Sequence, residues 1–255
     1  MTSSRCGDSE RQAFLRDKAI KEAKVVYEGP DANSTYIERI TAKVKPGDTV
    51  VDVGCGTAHI IAELARWTSN VDYVGLDISP AMVRAARNNC KRVENVCIVQ
   101  GDGLNMPFRS ESFDMVLNRL AACSMSDIHR VLKSGGVFYQ FGLGPQNHIE
   151  LLNLFPDRYE KDAFFVPETP ERWRSEVIDE KRGCGFSDVR LSDFKGLAYY
   201  PSVEDIMDLI EMVPLVKEFD REKDRGKLEE SSRCRGDRKR IPLTYHYTIV
   251  EMRKT

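Results

Sequence analysis

The sequence predicts an α/β fold: a mostly parallel β-sheet covered by helices on both faces. Three observations carry that expectation. From residue 49 onward, strand-like and helix-like patterns alternate along the chain. The strand-like runs are nearly continuous apolar segments, the pattern of strands buried on both faces. The first of them, in "VVDVGCGTAH" (residues 50–59), passes through two glycines straight into helix-forming sequence, a bend at which a nucleotide commonly lies against the backbone.

Taken in order, residues 1–36 read as a polar, helix-prone N-terminal cap ending near "YEGPDANSTY". "KPGDTVVDVG" opens the first strand behind a Pro-Gly turn, and "HIIAELARW" follows as an amphipathic helix. "VDYVGLDI" reads as strand and "SPAMVRAARNN" as helix, with Ser79 as N-cap and Pro80 at the first helical position. "VCIVQGD" and "FDMVLNR" read as strands, "DIHRVLK" as helix and "GGVFYQFG" as strand, which completes a core over residues 37–143. Four prolines interrupt residues 144–185, an insertion that ends in the helix "PERWRSEVIDEKRG" and has the character of a lid. Residues 186–255 then supply a strand ("FSDVRLSDFKGLAYY"), a helix ("SVEDIMDLIEMV"), a charged run from Lys217 to Arg240 and a final strand ("TYHYTIVEMRK").

Composition narrows the function class. With 255 residues, 41% apolar and 31% charged, the chain has the make-up of one soluble globular domain. A net charge of -2 gives no global attraction to nucleic acid or to a membrane surface. The N-terminus lacks the apolar core of a signal peptide and no window is long enough to span a bilayer, so a cytoplasmic protein is expected. The seven cysteines form no C-x-x-C pair and the histidines add no zinc spacing, so no metal site is expected and the thiols read as reduced and structural.

The glycine turn has the pattern Asp52-x-Gly54-x-Gly56-x-Ala58. A strand-to-helix turn without any ligand can look the same, so the flanking residues decide. A dinucleotide fingerprint needs a small residue three positions after Gly56, where His59 stands, and the Gly-Lys-Ser/Thr of an ATP loop does not occur. Instead a carboxylate, Asp52, precedes the glycines; it repels phosphates and suits a cationic amino group. The ligand suggested is a nucleoside bearing an amino acid. Asp77, 25 residues on and at the end of the second strand, is placed to bind both hydroxyls of a ribose. Asp102, at the end of the third strand in "QGDGLNMPF", is placed to accept from an exocyclic amine, followed by the Gly103 and Leu104 backbone.

"VVDVGCGTAH", "YVGLDISPAMVRAAR", "VQGDGLNMPFRSESFDMVLN" and "IHRVLKSGGVF" together resemble the consecutive motifs of class I S-adenosylmethionine-dependent methyltransferases, over residues 40–142. The resemblance, closest in style to the small type 11-like members, implies a Rossmann-like, doubly wound, mostly parallel seven-stranded sheet whose last strand is antiparallel. It implies S-adenosyl-L-methionine as cofactor and S-adenosyl-L-homocysteine as product. By the same resemblance Asp52 with the Gly54, Cys55 and Gly56 turn would hold the methionine portion, and Asp77 the ribose, with Ile78 against the adenine. Asp102, Gly103 and Leu104 would read the adenine amine, and Asn118 would face the methionine end or the methyl. Ala58 departs from the pattern, since many members carry a third glycine there.

The acceptor is less legible, because in-line transfer of an activated methyl needs alignment more than acid–base groups. Asn118-Arg119-Leu120-Ala121 replaces the Asn-Pro-Pro-Tyr of many amino-group methyltransferases. Arg119 has two readings, a clamp on an acidic substrate group or a bridge to a neighbouring loop. His148 is the candidate general base. His59 and His129 read as helix residues, exposed or partly packed. Cys123 reads as an inert thiol, with contact to a soft acceptor as the alternative. Tyr27 and Tyr36 either cap the cofactor or belong to the core, and Phe155, Tyr159, Phe164, Phe165 and Trp173 either line a lid or pack on the scaffold. The basic run Arg233, Arg235, Arg238, Lys239, Arg240 reads as a solvated loop, with RNA phosphates as the alternative. The expected function is methyl transfer to a small-molecule acceptor; the rivals are an RNA-base methyltransferase and a non-catalytic S-adenosylmethionine-binding protein.

Overall fold

A computed structural model describes residues 24–159, 169–213, 215–233 and 240–255, together with Leu15. The rest of the N-terminal cap including Cys6, the insertion residues Phe164 and Phe165, and Cys234, Arg235, Arg238 and Lys239 lie outside the described residues.

The parallel half of the sheet is built from β2 (Thr49–Val53), β3 (Asp72–Asp77), β4 (Val96–Gln100), β5 (Phe113–Arg119) and β6 (Leu132–Leu143). The helices α2 (His59–Trp67), α3 (Pro80–Cys90) and α4 (Met125–Val131) connect them, and α1 (Ala32–Lys43) precedes β2. Ser79 caps α3 by accepting from the Met82 N–H, with Pro80 behind it, as the sequence predicts. After β6 come α5 (Ile149–Leu154), α6 (Pro170–Gly183), β7 (Phe186–Tyr200), α7 (Val203–Met212), α8 (Arg221–Arg233) and β8 (Ile241–Lys254). β8 inserts between β6 and β7 and runs antiparallel to both.

Among the described residues the sheet has eight strands rather than seven. The additional one, β1 (Val26–Glu28), lies in the segment read as a helical cap and pairs antiparallel with β7 at the sheet edge, Tyr27 opposite Ala198. Its close approach depends on Gly196, where a Cβ would overlap the Glu28 carbonyl oxygen. The complete order is β1-β7-β8-β6-β5-β2-β3-β4. A second difference is local: the helix expected over "DIHRVLK" stops at Val131, because Leu132 already pairs with Phe113 as strand.

Alternation along the strands divides the core. Val50, Tyr139 and Ile249 face one layer, filled by Tyr36 and Ile40 of α1, Ile61 and Leu64 of α2, and Val83 and Ala86 of α3. Val51, Val53, Phe138 and Val250 face the other, with Ile128 of α4, Trp173 of α6 and Phe186. A third cluster joins Leu151, Phe155 and Tyr159 to α7, Leu228 of α8 and the outer parts of β7 and β8. Among the insertion aromatics that are described, Phe155, Tyr159 and Trp173 are therefore scaffold rather than lid lining. Tyr36 is core as well, edge-on to Tyr139 and Phe141, whereas Tyr27 stands half exposed on β1. No helix among the described residues is long and apolar enough to cross a membrane.

Candidate active site

Parallel strands place the ends of β2, β3, β4 and β5 along one edge, and the site is built there. At the end of β2 the chain turns through Gly54 (φ +76°) and Gly56 (φ +55°) into α2. The N–H groups of Gly54 and Cys55 both donate to the Leu76 carbonyl, at 2.8 and 3.0 Å. The Gly56 N–H donates to Asp77 Oδ2 at 2.8 Å, while Asp77 Oδ1 accepts the Ser79 N–H at 2.9 Å. Asp77 thus ties the turn to the start of α3 and keeps lone pairs on both oxygens for a ligand. Cys55 turns its thiol into the core, where burial pushes it well above its usual range.

Ala58, next in the turn, sits in the left-handed region at φ +61° with its methyl fully buried. Glycine would relieve about 1–2 kcal/mol of backbone strain, but it adds unfolded-state freedom worth about 0.4–1 kcal/mol and loses a methyl worth about 0.8 kcal/mol. These offset one another. Ala58→Gly is expected to leave the free energy of unfolding, measured in urea, within about 1 kcal/mol of the parent.

Asp52 is 3% exposed, and its carboxylate accepts no hydrogen bond among the described residues. Burial pushes its carboxyl up to about 7, with the Arg119 charge opposing and the Asp77 charge assisting. Asn118, also buried, donates from Nδ2 to the Val53 carbonyl at 2.9 Å, so it fastens the end of β5 to the end of β2. Asp102 accepts the Leu104 N–H on Oδ1 at 2.8 Å, so that N–H is engaged within the protein. Gly103 lies against Val53 and the Ala122 carbonyl, with no room for a Cβ. Ile78 and Leu104, at neighbouring strand ends, leave 53% and 55% of their surface exposed, unusual for apolar side chains in a well-filled fold.

Arg119 donates from Nη2 to Asn33 Oδ1 of α1 at 2.7 Å and lies 4.8 Å over the Phe141 ring. Arg119 therefore bridges to a helix rather than to a neighbouring loop, and its Nε–H is buried without a partner among the described residues. His59, at the first position of α2, has a buried Nδ1 that likewise has no partner among the described residues, and burial with the Arg119 charge brings its pKa down to about 4. The expectation of an exposed or partly packed His59 did not include its buried Nδ1, and the Arg119–Asn33 contact, between residues 86 apart in sequence, is not readable from local spacing.

His148 occupies a different corner. Its N–H donates to the Thr244 carbonyl, its Nδ1 meets the Asn147 amide at 3.1 Å, and burial brings its pKa down to about 4. None of these contacts reaches the Asp52–Asp77 crevice, and a ring so hard to protonate is a poor proton acceptor, so the general-base role loses its physical basis. His129 stacks edge-on to Phe186, and burial raises the Cys123 thiol, which leaves it protonated and unreactive. At the end of the basic run, Arg240 donates to the Lys24 carbonyl at 2.8 Å.

A mostly parallel sheet with one antiparallel strand set in beside β6, and acids at three adjacent strand ends, defines the class I methyltransferase fold. Residues 44–154 match the family model described as a methyltransferase domain. It is 25% identical over 170 residues to the malonyl-(acyl-carrier protein) O-methyltransferase of Dechloromonas aromatica, covering 64% of this chain and 61% of that one. It is 39% identical over 102 residues to the demethylmenaquinone methyltransferase of Tropheryma whipplei, covering 36% and 41%. The chain thus spans less than two thirds of the length of these curated relatives. Among solved structures, the 4+2 cyclase SpnF superposes with a TM-score of 0.62 at 16% identity, covering 96% of this chain and 93% of that one. Since that fold also carries a cyclase, the fold alone does not define the reaction.

Proposed function

We propose that the chain transfers a methyl group from S-adenosyl-L-methionine to a small-molecule acceptor by in-line displacement. The observation that carries this reading is the state of the glycine turn. A diphosphate needs free N–H donors at such a turn, and here the donors of Gly54, Cys55 and Gly56 are all spent within the protein. Beside them stands the carboxylate of Asp52, 3% exposed and with no hydrogen bond among the described residues, which calls for a cation. The same facts argue against a nicotinamide dinucleotide.

In this reading Asp52 binds the ammonium of the amino-acid portion, and the turn contributes carbonyls and close backbone approach. Asp77 accepts from the two ribose hydroxyls through its remaining lone pairs. Ile78 and Leu104 flank the adenine, and Asp102 Oδ2 with the Gly103 backbone meets its amine. Asn118 acts by holding β5 and β2 in register behind the methionine end. The bound sulfonium supplies an activated methyl carbon; the protein aligns the acceptor with it and excludes water. The two curated relatives are named for malonyl-(acyl-carrier protein) and demethylmenaquinone, which favours a metabolite-type acceptor over RNA.

Calorimetry tests the cofactor assignment. S-adenosylhomocysteine is expected to bind, Asp77→Ala to weaken it about 100-fold or more through lost charge-assisted hydrogen bonds, and NAD to give no comparable heat. Equal affinity for NAD would refute the reading. A labelled-methyl screen across metabolite and RNA pools tests the acceptor, with label expected in the metabolite fraction.

A further inference from the structure

Two side-chain nitrogens among the described residues are shut off from solvent and lack a hydrogen-bond partner, Arg119 Nε and His59 Nδ1. Both stand at the same edge of the sheet, one closing β5 and the other opening α2 directly after the glycine turn. They are near enough that the Arg119 charge is felt at His59 and at Asp52. Arg119 and Asp52 nevertheless make no ion pair with each other, although Arg119 reaches Asn33 and Phe141. A buried guanidinium N–H left without an acceptor is costly, and folded proteins seldom tolerate it where nothing fills the gap.

At this edge, among the described residues, there is therefore a carboxylate without a donor together with a guanidinium N–H and an imidazole nitrogen without partners. Its complement is a zwitterion: an ammonium for Asp52 and, one carbon away, a carboxylate for the other two. We propose that Arg119 and His59 bind the carboxylate of the cofactor's amino-acid portion, so that the site reads the zwitterion and not merely the adenosine. The inference rests on the adenosyl reading above and adds two residues to it. It also assigns the Arg119 charge to the cofactor, and so removes the reason to require an acidic acceptor. His59 serves as a neutral donor, with the proton on Nδ1; its low pKa keeps it uncharged beside Arg119.

The test compares two ligands by calorimetry: S-adenosylhomocysteine and its decarboxylated analogue, the S-adenosyl-thiopropylamine, which keeps the ammonium and lacks the carboxylate. The parent protein is expected to prefer S-adenosylhomocysteine about 10- to 100-fold, the range of hydrogen bonds to a charged group. In Arg119→Met the preference should collapse to roughly 3-fold or less, while the amine binds about as tightly as before. That retained binding, with an unchanged circular dichroism spectrum, shows that the adenosine pocket survives. His59→Phe should cost a smaller part of the preference, about 3- to 10-fold, as befits a neutral donor. Equal affinity of the parent for both ligands would overturn the proposal and leave the adenosyl reading intact. Equal weakening of both ligands in Arg119→Met would overturn it too, since Arg119 would then act only on the scaffold. If the parent binds neither ligand, the adenosyl reading fails and the inference falls with it.

Discussion

Gly54→Ala is expected to lower the melting temperature by about 10 °C and to abolish measurable binding of S-adenosylhomocysteine. Two effects add. Gly54 holds φ +76°, where a side chain costs about 1–2 kcal/mol. Its missing Cβ would also overlap the Ala121 methyl, which lies in the segment just after β5. Overpacking at a site this tight costs a further 1–3 kcal/mol, roughly. The structure cannot relax by moving the turn alone, because the Gly54 and Cys55 N–H groups are both anchored on Leu76 and Gly56 on Asp77. A double variant separates the two effects. Ala121→Gly in the Gly54→Ala background removes the overlap but not the backbone strain, so thermal melts should recover about half of the loss. No recovery would mean that the Ala121 contact is unimportant.

Binding of S-adenosylhomocysteine is expected to strengthen with pH up to about 7 and to level off above it, because Asp52 has its carboxyl raised to about 7. Below that value the free protein holds the carboxyl mostly protonated, and an ammonium ligand must expel the proton. Affinity should then fall by up to about tenfold for each pH unit below 7. Calorimetry in buffers of different ionisation enthalpy should show close to one proton released near pH 6. His59 does not cloud this window, since its own pKa lies near 4. Asp52→Asn should flatten the profile and weaken binding at pH 8 by about 100-fold; an unaltered profile in that variant would place the titrating group elsewhere. Stability of the free protein follows a different course. The raised Asp52 value favours the fold most at low pH and withdraws that support as pH climbs from about 4 to 7. The depressed His59 and His148 values act in the opposite sense, their support being full above about 6.5 and lost on descent towards 4.

Elements with a strong period were legible in the sequence: β2, α2, β3, α3 and β5 fall where apolar spacing and the Ser79–Pro80 cap put them. The placement of acids at three strand ends was legible for the same reason, since in a parallel sheet the ends fall together. What escaped depends on distance or on weak patterning. β1 is three residues long with no alternation to read, and it exists because Gly196 lets it approach. In α8 an apolar stripe is missing; Leu228 is its buried apolar contact, and an ion pair between Asp224 and Arg158 at 2.6 Å holds it. The influence of the Arg119 charge on His59 follows from β5 lying beside β2, a neighbour relation that local spacing does not encode. Even the correctly placed Asp77 had a second duty, bracing Gly56 and Ser79, that no residue count reveals.

The insertion of β8 between β6 and β7 has a consequence for biosynthesis. While the ribosome is still making residues 241–254, β6 has an open row of amides along one side and β7 has no neighbour through which to join the sheet. Such unpaired edges invite association with other nascent chains. β8 is thus the strand that seals the sheet, and the docking of β7 onto β6 waits for it.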